Sequence, residues 1–422
     1  MRRLTLLLTL FTFMFSCPAA AEEVSLTLDE AIAIAMRDNR DVLLKALDIE
    51  KAKDKIAQAN AALFPTLNLT GTLSNTRGLY SKDSSQATSQ LTLKQYLYKG
   101  GETINTIEQN KAKLRVSGSL LDKTKLDLVL SVKKAFYTLL LAGEFFEINK
   151  NILENTRAHL AFIRERYKSG QASESEVLNM ETSLSNVWQA YEASLNQVLS
   201  SQALLNSLLY LDKDTRVTPS AQFTYEPVEV AYDEAFLKAM QTRPEIRQYE
   251  AQAEADEKAV QIARADNQPD IYASWDYYSR THTSGTTNRN WNDYNVIGLT
   301  FSWPIFDGWA TKAKVEQAIV DLEATQLLKV KTSHDIALEL KNAYLDLKNS
   351  VNKIKSFEAQ VNLYKDTLSV VEERYRAGQV SSLALDDASL GYQISLFNQK
   401  QSTYDYIIAK AAFEKAGGPA LP

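Results

Sequence analysis

Apolar side chains recur at helical spacing over two very long stretches of the chain. Between Gly101 and Tyr167 the sequence contains no proline, and its only interior glycines are Gly118 and Gly143. Apolar or tolerated residues lie three and four positions apart in both stretches, at Leu153, Thr156, Leu160, Ile163 and Tyr167 and again at Val361, Tyr364, Leu368, Val371 and Tyr375. This spacing is typical of a coiled-coil seam and predicts two helices of roughly 100 Å, each returning after a glycine turn.

Shorter regions alternate apolar and polar residues, which predicts strands with one apolar face. The predicted strands cover about 64–80, 87–98, 269–281 and 293–306. Their length and the aromatic residues near their ends are typical of strands that cross a bilayer. The polar segments 81–89 and 279–292 are predicted to be exposed loops. The alternative is a soluble hairpin that caps a helical bundle.

The sequence contains one unit twice. Residues 166–171 return as 374–379 at an offset of 208, whereas Asp29-Glu30-Ala31 returns as Asp233-Glu234-Ala235 at an offset of 204. The second copy has therefore gained residues between about 270 and 298, which places a loop there. The predicted organisation is a first repeat at 22–211 with a helical hairpin at 101–210, a linker at 212–230, a second repeat at 231–417 with a hairpin at 308–417, and a tail at 418–422.

The N-terminal segment has the features of an export signal. Arg2 and Arg3 precede an apolar run that is too short to span a membrane, and Ala19-Ala20-Ala21 follows. We expect residues 1–21 to be removed; the alternative is a lipoprotein acylated at Cys17, the only cysteine. With 45% hydrophobic residues, 23% charged residues and a net charge of −5, the chain is neither disordered nor suited to nucleic acid.

Four strands are too few for a transmembrane barrel, because eight is the usual minimum. An open sheet edge in lipid leaves backbone groups unpaired at a cost of several kcal/mol each. The sequence therefore predicts an oligomer with a shared barrel. Two chains give about eight strands and a filled interior, and three give about twelve and room for a channel.

The sequence contains two Arg-Tyr-x-x-Gly turns, each after a long helix, and an opening segment 26–32 that is followed by Asn39. In these features, and over essentially the whole mature chain, it resembles the TolC-type outer-membrane efflux proteins. The resemblance implies a mostly α fold with a small transmembrane β part: a homotrimer with a 12-stranded β-barrel in the outer membrane and a helical coiled-coil tunnel in the periplasm. It also implies an efflux channel whose partners are a periplasmic adaptor and an inner-membrane pump. The alternatives are a type I protein secretion channel and, in a different class, a periplasmic coiled-coil adaptor.

In that family the tunnel closes at the tips, through acids six and nine positions after the turn glycine and through Tyr and Arg links. Glu176 and Asp387 match these positions, whereas Asn179, Ala384 and Val380, the last in place of the gate arginine, depart from the pattern. The gate and tip candidates are Tyr167, Gly170, Glu176, Arg374, Tyr375, Gly378, Asp386 and Asp387, with Arg374 or Arg376 as the substitute for the missing arginine. The alternative for the acids is simple stabilisation of a helix N-terminus by its dipole.

Catalytic and metal-binding patterns are missing from the sequence. His159, His282 and His334 have no metal-ligand spacing and are predicted to be surface residues. No His-Glu-x-x-His, phosphate-binding loop or Gly-x-Ser-x-Gly motif occurs. The sequence therefore predicts a protein that is no enzyme and that needs neither a cofactor nor a metal.

Overall fold

The computed structural model describes residues 23–79, 82–212, 215–221, 223–225, 227–228, 230–284 and 291–418. The predicted signal peptide 1–21 and Cys17 lie outside the described residues, as does the tail after Gly418. The fold is mostly α-helical with a small β part, which confirms the predicted fold class.

Eight helices account for most of the described chain. They are α1 (Leu28–Asp38), α2 (Arg40–Ala61), α3 (Glu102–Lys168), α4 (Glu174–Leu209), α5 (Tyr232–Thr242), α6 (Pro244–Ala265), α7 (Ala310–Arg376) and α8 (Ser382–Ala416). The long helices α3 and α7 contain 67 residues each. Local sequence explains where the short helices begin, because the Asn39 side chain accepts hydrogen bonds from the backbone of α2 and Pro244 occupies the first turn of α6. Among the described residues, no helix has both the length and the apolar character needed to cross a membrane.

The strands form two separate sheets. The larger sheet is antiparallel, in the order β2 (Thr66–Leu79), β3 (Lys82–Lys99), β5 (Asp270–Ser284) and β6 (Trp291–Ser302). The smaller sheet is a parallel pair of β1 (Glu23–Leu26) and β4 (Arg216–Pro219). Since β3 pairs with β5, strands from both repeats belong to one continuous sheet.

The structure corrects several predicted boundaries. The loops predicted at 81–89 and 279–292 are shorter, because β3 begins at Lys82, β5 continues to Ser284 and β6 begins at Trp291. These segments are rich in serine and threonine, but many of their residues belong to paired strands. The polar composition alone did not predict this pairing. The last strand ends at Ser302 and not at 306, since Pro304 has no N–H to donate to a ladder. The pair of β1 and β4 was not predicted at all, and β4 lies in the segment interpreted as linker.

The described chain divides into two compact units, which we describe separately. Unit one takes 23–35, 131–224 and 356–404, and unit two takes 36–130, 225–355 and 405–418, apart from the undescribed positions. The core of unit two includes the fully buried Leu340, Ile354 and Tyr406. The Tyr406 hydroxyl accepts a hydrogen bond of 3.2 Å from the backbone N–H of Val228, so the linker is attached to α8 within this unit.

A buried arginine attaches the C-terminal end of α8 to the junction of α5 and α6 in unit two. Arg243 is 3% exposed, and its guanidinium donates to the Lys415 carbonyl at 2.9 Å and to the carboxylates of Glu245 and Glu339 at 3.0 and 2.8 Å. Two carboxylates and a carbonyl satisfy the charge of this buried group, so its desolvation is compensated.

Candidate functional site

The four-stranded sheet has an apolar face that is largely open to solvent in the single chain. Register places Leu69 opposite Leu91, Leu91 opposite Tyr277, and Trp275 opposite Ile297, so these side chains share one face. Leu69 is 74% exposed and Ile297 is 83% exposed. A soluble protein rarely exposes so continuous an apolar surface, and such a face is typical of contact with lipid or with another protein.

The opposite face of the same sheet carries a polar network. Thr92 and Gln90 on β3 donate to one carboxylate oxygen of Asp276 on β5, at 2.6 and 3.1 Å, and Gln90 also donates to the hydroxyl of Tyr278 at 2.9 Å. The Tyr278 ring stacks on that of Tyr294 at a centroid distance of 4.9 Å. A sheet with one apolar face and one hydrogen-bonded polar face is typical of a barrel wall that separates lipid from water.

The sheet has two open edges. Within the described residues, β2 pairs only with β3 and β6 pairs only with β5. Each edge therefore presents unpaired backbone donors and acceptors over 14 residues of β2 and 12 of β6.

Both helical tips lie in unit one and share one turn geometry. Gly170 and Gly378 each have φ of +73°, a conformation that glycine adopts at little cost. In tip one (the end of α3, its turn and the start of α4), the N–H groups of Gly170 and Gln171 bond to the carbonyls of Tyr167 and Arg166. Tip two (the end of α7, its turn and the start of α8) repeats both bonds at Gly378 and Gln379. Each long helix thus ends in a Schellman motif.

The two tip tyrosines have different surroundings. Tyr167 is 46% exposed, whereas Tyr375 is 7% exposed. The ring of Tyr375 meets the ring of His159 edge to face at 5.7 Å, and the guanidinium carbon of Arg166 lies 5.9 Å from its centre. Burial raises the pKa of Tyr375, and the nearby charge of Arg166 opposes that shift.

Arg166 is the arginine whose guanidinium lies over the ring of Tyr375, and the sequence analysis did not predict this contact. Arg374 is exposed, and the structure gives its side chain no hydrogen bond or ion pair among the described residues. Arg376 lies 3.9 Å from Glu372 on its own helix. Arg166 could be recognised in the sequence as part of the Arg-Tyr-x-x-Gly turn of the first copy. Its contact with Tyr375 of the second copy depends on how the two hairpins pack, which the sequence pattern does not show.

The candidate acids differ in role. Glu176 belongs to a capping box: its carboxylate accepts from the N–H of Ser173 at 2.7 Å, and its own N–H donates to the Ser173 hydroxyl at 3.3 Å. The structure therefore supports the helix-end interpretation for Glu176. Asp386 and Asp387 lie beyond the first turn of α8, where the dipole effect has faded. Asp386 is half-buried, and burial raises its pKa while His159 opposes the shift.

His159 was predicted to be a surface residue, and this is wrong. Its ring packs between Phe162 and Tyr375, and its Nε2 atom is buried with no hydrogen-bond partner among the described residues. Burial lowers the pKa of His159. His334 is exposed, and the side chain of His282 lies outside the described part.

Comparison with known proteins gives this architecture a family. The model of the outer membrane efflux protein family matches residues 31–209 and 237–418, one copy of the repeat each. The outer membrane protein TolC of Vibrio cholerae serotype O1 is 20% identical over 403 residues, which cover 91% of this chain and 89% of that protein. The probable efflux pump outer membrane protein TtgC of Pseudomonas putida is 23% identical over 392 residues, covering 89% and 78%. The crystal structure of a membrane protein from Pseudomonas aeruginosa has the same fold, with a TM-score of 0.83, 19% identity and coverage of 93% and 92%.

The chain belongs to the outer membrane efflux protein family, since the family model covers most of its length. The resemblance drawn from the sequence is thereby confirmed. The protein is an outer-membrane channel component of an efflux system, with its helical part in the periplasm. The alternative of a periplasmic adaptor is wrong, because both repeats match the channel family.

Proposed function

We propose that the protein acts as a homotrimeric conduit in which each chain gives four strands to a 12-stranded barrel. The observation that carries this proposal is the four-stranded sheet with its exposed apolar face and two unpaired edges. Joining β6 of one chain to β2 of the next pairs both edges and leaves none in lipid. Three chains leave a lumen, whereas two give a barrel filled by its own side chains.

The internal repeat supplies the register of this junction. Within one chain the two hairpins pair identically at the offsets of 204 and 208 residues: Leu67 opposite Leu93 corresponds to Ile271 opposite Phe301. The junction of β3 with β5 joins the second strand of one copy to the first strand of the next copy. The junction of β6 with a neighbouring β2 is of the same kind. Leu91 opposite Tyr277 therefore translates into Leu299 opposite Leu73 of the neighbouring chain.

Disulfide crosslinking tests this register, because residues directly opposite each other have Cα atoms close enough for a disulfide. Cys17, the only cysteine, lies in the predicted signal peptide, so introduced cysteines have no competitor in the mature chain. The double variant Leu73→Cys with Leu299→Cys is expected to give covalent dimers and trimers on oxidation in isolated outer membranes, seen on non-reducing gels.

The matched control pairs Leu299→Cys with Thr72→Cys, whose side chain points to the other face of the sheet. It is expected to give at most a small fraction of that yield. Monomers alone from the Leu73 pair would contradict the trimer, and equal yields from the two pairs would contradict the register.

The partners and the cargo complete the proposal. A periplasmic adaptor and an inner-membrane pump dock at the helical tips, and the cargo consists of small molecules. A relative from P. putida that is 23% identical is named toluene efflux pump outer membrane protein TtgC, and toluene is a small molecule, which supports this cargo class. We further propose that the protein catalyses no reaction; no group of three potential metal ligands is found among the described residues. Protein export remains the second candidate, and copurification with the pump distinguishes the two.

The tip residues form the periplasmic gate in this proposal. Asp386 and Asp387 of each chain give an acidic ring that attracts cations, and Glu176 adds to it. Tyr375, with Arg166 at its ring, links the two hairpins of one chain. Tyr167 and Arg374 remain exposed for contacts with neighbouring chains or with the adaptor, and Gly170 and Gly378 set the turns. Conductance of acid-to-amide variants in planar bilayers tests this assignment.

A further inference from the structure

A cavity open to solvent lies between the two tips, and the proposed gate residues Tyr375, Asp386 and Asp387 are part of its wall. Its volume is about 940 Å³, and helices α3, α4, α7 and α8 of unit one line it. Cavities of roughly 300–1,000 Å³ are the usual size for drug-like ligands. Unit one of a single chain supplies all of the described lining residues.

The charges that line this cavity are mainly negative. Asp386 and Asp387 come from α8 and Glu372 comes from α7, while Arg376 is the one lining residue with a permanent positive charge in the described part. Arg376 lies 3.9 Å from Glu372 and offsets that acid. For Asp386 and Asp387, the imidazole of His159 is the further basic group among the described lining residues.

Asp386 is the acid best placed to attract a cation. It is half-buried, and the structure gives its carboxylate no hydrogen bond or ion pair among the described residues. His159 faces it, and burial lowers the pKa of His159, which disfavours the positively charged imidazole beside Asp386. A carboxylate in a partly dehydrated site attracts a cation more strongly than one in water.

The remaining walls are aromatic and apolar. Phe162, Tyr375 and Tyr392 present rings to the cavity, and Met180 and Leu390 add flexible apolar surface. Aromatic faces attract organic cations, which are less strongly hydrated than metal ions. The buried Nε2 of His159, which has no hydrogen-bond partner among the described residues, adds a polar contact within the same walls.

We propose that this cavity is a binding site for amphiphilic organic cations, with the charge at Asp386 and the apolar groups against Phe162 and Tyr375. The site shares Tyr375 and Asp386 with the proposed gate. The inference goes beyond the channel function and does not depend on it. Its test measures binding to the purified protein, so a failure here leaves the conduit proposal intact.

Isothermal titration calorimetry on the full-length protein in detergent tests the proposal with two ions of the same shape and opposite charge. Tetraphenylphosphonium is expected to bind saturably at one site per chain, and tetraphenylborate is expected to show no saturable binding. Equal binding of the two ions would overturn the proposal, since it would show apolar partition without a role for the acids.

Variants then locate the site. Asp386→Asn is expected to weaken tetraphenylphosphonium binding at least fivefold, because it removes the charge and keeps the shape. The matched control Asp366→Asn makes the same chemical change on α7 outside the cavity and is expected to leave binding unchanged. Glu372→Gln provides a second lining variant if Asp386→Asn alters the circular dichroism spectrum. Unchanged affinity in a folded Asp386→Asn protein would overturn the proposal.

Discussion

The two helical tips have the same turn but are held together by different interactions. In tip one, Arg164 of α3 forms an ion pair of 2.7 Å with Glu181 of α4, and the capping box of Ser173 and Glu176 fastens the start of α4. In tip two the corresponding residues are Glu372 and Ser389, and Ala384 replaces the glutamate of the box. The ion pair and the carboxylate of the capping box are therefore absent from the described residues of the second copy, whereas the serine cap is kept at Ser381.

Packing between the helices differs as well. A small core of Leu160, Ile163 and Met180 holds tip one together, whereas Ala388 stands at the position of Met180 in tip two. In tip two, the ring of Tyr364 lies directly against Gly391, where any Cβ would lie 2.8 Å from the ring. The corresponding residues in tip one are Thr156, which is smaller than tyrosine, and Ser183, which is larger than glycine. The two copies thus share the same turn. Tip two has the larger side chain on its long helix and no side chain at the facing position of the returning helix.

The largest expected effect comes from exchanging this pair. Gly391→Ser is expected to destabilise tip two by about 1–3 kcal/mol, because the new Cβ meets the Tyr364 ring. Hydrogen–deuterium exchange of α7 and α8 peptides then speeds up by about five- to a hundredfold near the tip.

Two controls decide whether the exchange of bulk is the cause. Adding Tyr364→Thr to Gly391→Ser recreates the pair of tip one and is expected to restore most of the protection. Ser183→Gly in tip one is expected to cost only about 0.5 kcal/mol, the intrinsic effect of glycine in a helix. If hydrogen exchange in the double variant were as fast as in Gly391→Ser alone, crowding between these two side chains would not be the cause.

A smaller effect is expected from the helix caps. Ser173→Ala is expected to weaken the start of α4 by about 1 kcal/mol, because it removes the hydroxyl that accepts from the N–H of Glu176 and donates to the Glu176 carboxylate. Ser381→Ala, at the same place in tip two, is expected to cost about half as much, because Ser381 makes only the single bond from the N–H of Ala384. Exchange protection of the first turn of each helix provides the measurement, and equal losses in the two tips would contradict the difference.

The smallest effect concerns the proposed gate. The variant Asp386→Asn with Asp387→Asn is expected to change block of the channel by multivalent cations about twofold, in line with the modest energy of charges that are partly or fully exposed. Glu176→Gln is expected to change it less, because that carboxylate is already engaged by its own helix. Conductance in planar bilayers with added cation measures both, and a larger effect from Glu176→Gln would reverse the assignment between tips.

The periodic spacing of apolar residues predicted most of the helices and strands. The spacing along α3 and α7 predicted both long helices, and the alternation around Leu69 and Leu299 predicted paired strands. These signals are local and repeat many times, so single exceptions such as Gly118 did not hide them. The pair of β1 and β4 was not predicted, because a strand of four residues is too short to show a period and the two strands are nearly two hundred residues apart in the sequence.

The candidate site was only partly predictable for the same reason. Gly170 and Gly378 could be recognised because a turn glycine leaves a local mark. Arg166 and His159 act on Tyr375 across helices of different repeats, and no spacing along one helix encodes that contact. The crowding of Gly391 by Tyr364 depends on interhelical distance, which a sequence pattern does not report.

The pairing of β3 with β5 also fixes the order in which the chain can fold after export. Gln90 and Tyr278 bond to each other although they lie 188 positions apart. The first hairpin therefore reaches the periplasm with the β3 edge open as well as the β2 edge, until the second repeat has been translocated. Loop closure over such a distance is slow compared with helix formation. The exposed edge of this half-exported chain is the point at which a periplasmic chaperone has most to protect.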